Sequence, residues 1–308
     1  MTAVSRVIML TGTAGGRGPQ VWQGTRIWYH PDWQETLGEL DLADMKNWRV
    51  PVDVPAVSAS KYALACYRIT LASGRIIYYK RCDYRGRLKS AIRFWFRPSK
   101  VGVEKWCYQR YRACGVDVPL TVAYGESRVL GLLRVAFIIT EEVPDSVSLD
   151  TFVAEGLPGI DAAERRGKMT AFAGRLIDSI RKAHGACLFH YDLKWRNILI
   201  QCRDGEYYPV IIDCPRAFVS CLRRRYGITT DLSALARLAV SYLTLKQRYH
   251  FLAAYLGDTA SPAMRKDWYR RIQRRLEKRP PKILSLQESP LQGVRFNQRI
   301  LNQYLTGK

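Results

Sequence analysis

The sequence lacks most of the features that would sort it quickly. No apolar run of about eighteen residues occurs, so nothing reads as a membrane-spanning helix. The best candidate, 129-VLGLLRVAFIIT-140, is short, carries Arg134, and reads as a buried strand pair. The first residues, MTAVSRVIMLTGTAGG, show neither the long apolar region nor the cleavage site of a signal peptide. Eight cysteines contain no C-x-x-C pair and histidines number only four. That argues against a zinc site and for reduced thiols in a cytosolic protein. The glycine-rich stretch 7-VIMLTGTAGGRG-18 imitates a strand followed by a phosphate loop, but no G-K-[ST] appears and Val21 stands where a third fingerprint glycine would be. It therefore reads as a flexible loop. Acid is also scarce: 49 Lys and Arg stand against 27 Asp and Glu, a net charge of +22. So basic a chain implies an anionic partner, whether nucleic acid, an acidic membrane face, or a phosphorylated glycan or lipid.

What is present falls into two halves. Residues 1–60 are mixed, with a short helix expected in 36-TLGELDLADMKNW-48. In 62-YALACYRITLASGRIIYYKR-81, two β-type runs flank the turn signal Ser73-Gly74. The stretch 99-SKVGVEKWCYQRYRACG-115 predicts a helix, with Ser99 as N-cap and Gly115 in the left-handed position after its end. Strands are expected in 119-PLTVAYGE-126 and 129–140, with 144-PDSVSL-149 as a connector. Helical periodicity then dominates, in 170–185, 230–243 and 264–278. Strands plus one helix, followed mostly by helix, make an α+β plan with two unequal parts. We divide it into an N-terminal extension over 1–60 packing on the next part, a β-rich part over 61–143, and a mostly helical part over 144–308.

The chemistry concentrates in 184-HGACLFHYDLKWRNILI-200 and the hairpin behind it. Asp204-Gly205 is a strong two-residue turn signal. A turn there pairs Asn197 with Ile212, and so brings Asp213 back beside Asn197 and near Asp192. Pro209 cannot donate to a ladder, so its strand should lie at an edge. The resulting oxygen-rich group suits Mg²⁺ holding a nucleotide phosphate. A remaining carboxylate can accept a proton from an attacking hydroxyl, and Lys194 can steady a transferred phosphoryl group.

The run HYDLKWRN resembles the protein-kinase catalytic loop H-R-D-x-x-x-x-N. WRNILI followed by IIDCPRA is closer still to the lipopolysaccharide kinase family, whose members phosphorylate heptose or Kdo sugars of the lipopolysaccharide core. The resemblance implies a two-lobed, protein-kinase-like α+β fold with a β-rich N-lobe and a mostly helical C-lobe. It implies Asp192 as catalytic base, Asn197 and Asp213 as metal ligands, and ATP with Mg²⁺ as cofactors. It places Lys80 on the nucleotide phosphates, paired with Glu104, the one acid among nine Lys and Arg between residues 84 and 116. It makes 140-TEEVPDS-146 the hinge, with the backbone of Glu141 and Val143 facing the adenine. Asp231 resembles the C-lobe acid that braces the catalytic loop, although a helix N-cap is an equal alternative.

This sequence departs from the kinase pattern at several points. No G-x-G-x-x-G precedes Lys80, so 67-YRITLASG-74 must cover the phosphates. Tyr191 replaces the H-R-D arginine, which removes the usual contact to a phosphorylated loop. Pro215 follows Asp213-Cys214, which predicts a rigid turn. No A-P-E motif marks a protein-substrate platform. The expected function is an ATP-dependent phosphotransferase acting on a heptose or Kdo hydroxyl. A protein kinase and a non-catalytic basic binding protein on the same scaffold are the alternatives. His184 and His190 are expected to hydrogen-bond near the loop and not to bind metal. The basic helix 265–282, with its interleaved aromatics, favours anionic lipid or lipopolysaccharide over nucleic acid. The expected location is cytoplasmic, peripheral at the inner membrane.

Overall fold

The computed structural model describes residues 7–11, 23–48, 54–59, 64–86, 88–155 and 161–278. The glycine-rich loop expected after residue 11 lies outside them. The chain divides into two compact units: residues 1–109 with 119–142, and residues 110–118 with 143 onward.

The first unit is built on a seven-stranded sheet. Its elements are β1 (Val7–Thr11), β2 (Gly24–Tyr29), β3 (Ala56–Ala59), β4 (Leu64–Thr70), β5 (Ile76–Asp83), α1 (Leu88–Arg93), α2 (Lys100–Ala113, of which residues 110–113 are counted with the second unit), β6 (Thr121–Val129) and β7 (Leu132–Glu141). The strand order is β1-β2-β6-β7-β5-β4-β3. Among the described residues only the β1–β2 pair is parallel. Residues 7–10, which imitate the strand before a phosphate loop, thus do form a strand, but one at a sheet edge. Two tight turns make the meander possible. Gly74 takes φ +79° between β4 and β5, and Leu130-Gly131, both left-handed, close β6 onto β7.

The helix expected over 36–48 is absent. Asp41 adopts a left-handed conformation (φ 38°), and the segment breaks into the 3-10 turns Gly38–Leu40 and Met45–Trp48. What it supplies is core. Trp33, Leu37, Leu42 and Trp48 are almost wholly buried in one cluster with Ile27, Ile77, Tyr79 and Phe137. Trp48 meets Phe137 edge-on at 4.7 Å and donates from Nε1 to the Leu42 carbonyl at 2.8 Å. An indole buried this way keeps its one donor satisfied. Helix α2 begins as its sequence predicts: the Ser99 hydroxyl accepts from Gly102 N–H at 3.0 Å, and Gly115 sits at φ +69° beyond the end.

The second unit contains β8 (Ser146–Ser148), α3 (Leu149–Glu155), α4 (Ala162–Gly185), β9 (Leu188–Phe189), β10 (Ile198–Arg203), β11 (Glu206–Ile211), β12 (Phe218–Val219), α5 (Arg224–Tyr242), α6 (Leu245–Leu256) and α7 (Pro262–Glu277). The hairpin has the predicted register: Arg203 opposes Glu206 and Ile198 opposes Ile211 around Asp204-Gly205. The sheet order β11-β10-β8 leaves Pro209 on an edge strand, where its missing N–H does no harm. The expected connector after residue 144 contributes β8, which pairs with β10. Helix α6 escaped the periodicity reading. It starts with a capping box in which Thr244 and Gln247 satisfy each other's backbone N–H groups.

Candidate active site

The 190–197 loop is held from several sides within the second unit. The N–H groups of His190 and Tyr191 donate to opposite oxygens of the Asp231 carboxylate, at 2.8 and 2.7 Å. Asp231 is buried in the interior of α5, seven residues past its start. The N-cap alternative therefore falls, and the carboxylate braces the loop. His184 Nε2 stands 3.2 Å from Asp231 Oδ2, and its Nδ1 lies 2.8 Å from the Tyr255 hydroxyl. Burial pushes the ionisation of Tyr255 well above its ordinary range.

His190 ties the loop to the hairpin. Its Nδ1 accepts from Asp192 N–H at 3.2 Å, so Nε2 carries the proton and donates to the Ile212 carbonyl at 3.0 Å. A 3-10 turn over Trp195–Asn197 follows, anchored where Trp195 Nε1 donates to the Leu235 carbonyl of α5 at 2.8 Å.

Lys194 Nζ is 2.7 Å from Asp192 Oδ1, and both side chains keep partial access to solvent. Asn197 Nδ2 donates to the Asp192 carbonyl at 2.8 Å, which turns the amide oxygen of Asn197 the other way. Ile212 N–H donates to the Asn197 carbonyl at 3.0 Å. Asp213 follows directly, in a left-handed conformation at φ 56°. The next four residues close a turn in which Ala217 N–H reaches the Cys214 carbonyl, with Pro215 in second place. Asp192, Lys194, Asn197 and Asp213 thus share one loop-and-hairpin framework. Asn197 and Asp213 offer hard oxygens of the kind Mg²⁺ takes, and phosphate oxygens and water can complete its shell. These residues fit a hard divalent metal, which they would hold through those oxygens. Among the described residues no group of three or more His, Cys, Asp or Glu side chains gathers as a metal site.

The first unit carries the other predicted pair. Lys80 on β5 reaches both oxygens of Glu104 on α2, at 2.8 and 3.0 Å. Glu104 is 2 % exposed. The Tyr108 hydroxyl also donates to Glu104, at 2.9 Å. Sequence reasoning missed that contact, although Tyr108 lies four residues on from Glu104 along one helix face. Glu141 N–H is committed to the Leu120 carbonyl at 2.9 Å, so it is not open to a nucleobase. The Val143 carbonyl accepts from the Ser146 hydroxyl at 2.7 Å. In the loop after β4, Ala72 N–H donates to the Glu39 carboxylate at 3.0 Å. An amide that could cradle phosphate is already engaged.

The expectation of reduced thiols throughout also fails. Cys187 and Cys221 form a disulfide, with Cα atoms 5.1 Å apart. The pair meets because β9 and β12 run antiparallel, and sequence spacing alone does not reveal that.

Residues 71–255 match the lipopolysaccharide kinase (Kdo/WaaP) family. The chain belongs to that family. Over 148 residues it is 28 % identical to the lipopolysaccharide core heptose(I) kinase WaaP of Escherichia coli (strain K12), across 46 % of this chain and 55 % of that protein. It therefore spans about half the length of that relative. A solved structure of WaaP in complex with acyl carrier protein aligns with a TM-score of 0.55 at 20 % identity, over 81 % of this chain and 97 % of that one. The likeness speaks to the fold, which is kinase-like. No helix among the described residues is long and apolar enough to cross a membrane.

Proposed function

We propose that this lipopolysaccharide kinase family member transfers the γ-phosphoryl group of ATP to a heptose or Kdo hydroxyl of the lipopolysaccharide inner core. The observation that carries the reading is the braced loop, with Asp192 beside Lys194 and the oxygens of Asn197 and Asp213 on the same framework. In this reading an Asp192 oxygen orients the acceptor hydroxyl and receives its proton. Lys194 lies close enough to Asp192 to offset charge on the group in transfer. Lys80, aligned by Glu104, holds the nucleotide phosphates. Asn197 and Asp213 would hold Mg²⁺, which supplies Lewis-acid neutralisation of phosphate charge. The Glu141 carbonyl and the Val143 N–H would meet the adenine.

The net charge of +22 supports work at an anionic inner-membrane surface on its cytoplasmic side, where ATP is present. The relative's complex supports acyl carrier protein as a further partner. The test is a panel of phosphate-free cores, ending in heptose or in Kdo, incubated with γ-labelled ATP alongside a protein panel. Label on a core sugar, located by fragmentation, is expected. Label confined to proteins would replace the sugar acceptor with a protein one.

A further inference from the structure

Beside Asp192 lies a group of side chains to which the reaction above gives no task. Tyr191 adopts a left-handed conformation at φ 65°. The ring meets Phe218 edge-on at 4.6 Å and lies 5.8 Å from the Tyr226 ring of α5. Arg275 of α7 stands 4.9 Å from the centre of the Tyr226 ring. The Arg275 guanidinium draws the Tyr226 ionisation down, with Arg223 adding to the same field. Burial holds the Tyr191 phenol above its ordinary range, only partly offset by the two guanidiniums. Tyr226 is 50 % exposed, and Leu222 beside Arg223 is fully exposed. Among the described residues neither Arg223 nor Arg275 pairs with a carboxylate, whereas Arg271 on the same helix pairs with Asp267 at 2.8 Å. Arg275 lies against the Tyr226 ring, and Arg223, the N-cap of α5, stands three residues before Tyr226, so two arginines without a carboxylate partner accompany two partly open rings, one of them on the residue before the proposed base.

We propose that Tyr191, Tyr226, Arg223 and Arg275 form the acceptor subsite, and that they take an anionic, phosphate-bearing saccharide. Tyrosine rings offer flat apolar faces to sugar C–H groups and polar edges to hydroxyls. Guanidiniums grip phosphate oxygens in a forked geometry that lysine does not match. The inference rests on the glycolipid-kinase reading for its choice of saccharide but not for its binding test.

The test uses the full chain carrying Asp192→Asn, so that binding is read without turnover. The probe is deacylated lipopolysaccharide oligosaccharide, in its phosphorylated form and after removal of phosphate. Arg223→Gln with Arg275→Gln should raise the Kd for the phosphorylated form at least about tenfold and leave that for the phosphate-free form nearly unchanged. Tyr226→Ala should weaken both forms. Arg225→Gln, on the same helix turn, should weaken neither. The thermal shift given by Mg²⁺ and ATP reports that each variant is folded. Equal Kd values for wild type and the double arginine variant would overturn the proposal. So would loss of binding to phosphatidylglycerol vesicles with oligosaccharide binding intact, which would make the patch a headgroup face. Failure of the wild-type chain to phosphorylate any core would count against the kinase reading alone.

Discussion

A single buried carboxylate does the most to shape the loop. Asp231 accepts from two consecutive backbone N–H groups and contacts His184. Buried N–H groups left without an acceptor cost about 1–3 kcal/mol each. Asp231→Ala should therefore lower unfolding stability by roughly 3 kcal/mol and cut phosphate transfer by about a hundredfold, through misplacement of Asp192. Chemical denaturation and initial rates check both, and Asp231→Asn should recover part of each. Lys105 shows the same rule with the opposite sign. It is 4 % exposed, and burial, with Arg26 nearby, pushes its ammonium down to about 8. The Trp28 ring 4.8 Å away recovers part of that cost. Between about pH 8 and 10.5 the unfolded chain holds a proton that the folded chain has released, so stability rises with pH across that window. Below it, the full penalty, on the order of 3 kcal/mol, is present. Lys105→Met should raise Tm at neutral pH, and its advantage over wild type should shrink toward pH 10.5. A constant advantage across that range would contradict the assignment.

At the scale of elements, the parts read correctly from sequence are those fixed by local chemistry. Asp204-Gly205 allowed one register, and that register carried Asn197, Ile212 and Asp213 into place. Ser99 and Gly115 marked the ends of α2 because a cap and a left-handed residue have few other uses. What stayed hidden depends on distant packing. The segment 31–48 has the apolar content of a helix, but Trp33, Leu37, Leu42 and Trp48 serve a sheet face as broken 3-10 turns. Asp231 was ambiguous because the start of α5, at Arg224 and without a capping side chain, cannot be located by a cap signal. Gly227 in α5 was passed over for the same reason. A Cβ there would collide with the Phe189 ring of β9, so glycine is what lets α5 lie against the strand entering the loop. Gly227→Ala should lower stability by about 1–3 kcal/mol and reduce transfer more than ATP binding. Thermal unfolding and separate kcat and KM values test this.

At the scale of the whole chain, charge is distributed with purpose. Several of its few acids are interior or paired: Glu104 with Lys80, Glu126 with Arg128, Asp231 with the loop. The chain carries 49 basic against 27 acidic residues, an excess that suits a polyanionic acceptor and makes association sensitive to salt. The central claim is nonetheless chemical, that Asp192 serves phosphate transfer to a core sugar. The most direct measurement is transfer from γ-labelled ATP to purified phosphate-free lipopolysaccharide core, by wild type and by Asp192→Ala, each shown to bind ATP. The account predicts label on the core with wild type and a loss of at least about a thousandfold with the variant. Equal labelling by the two proteins, or none by wild type on any core, would contradict it.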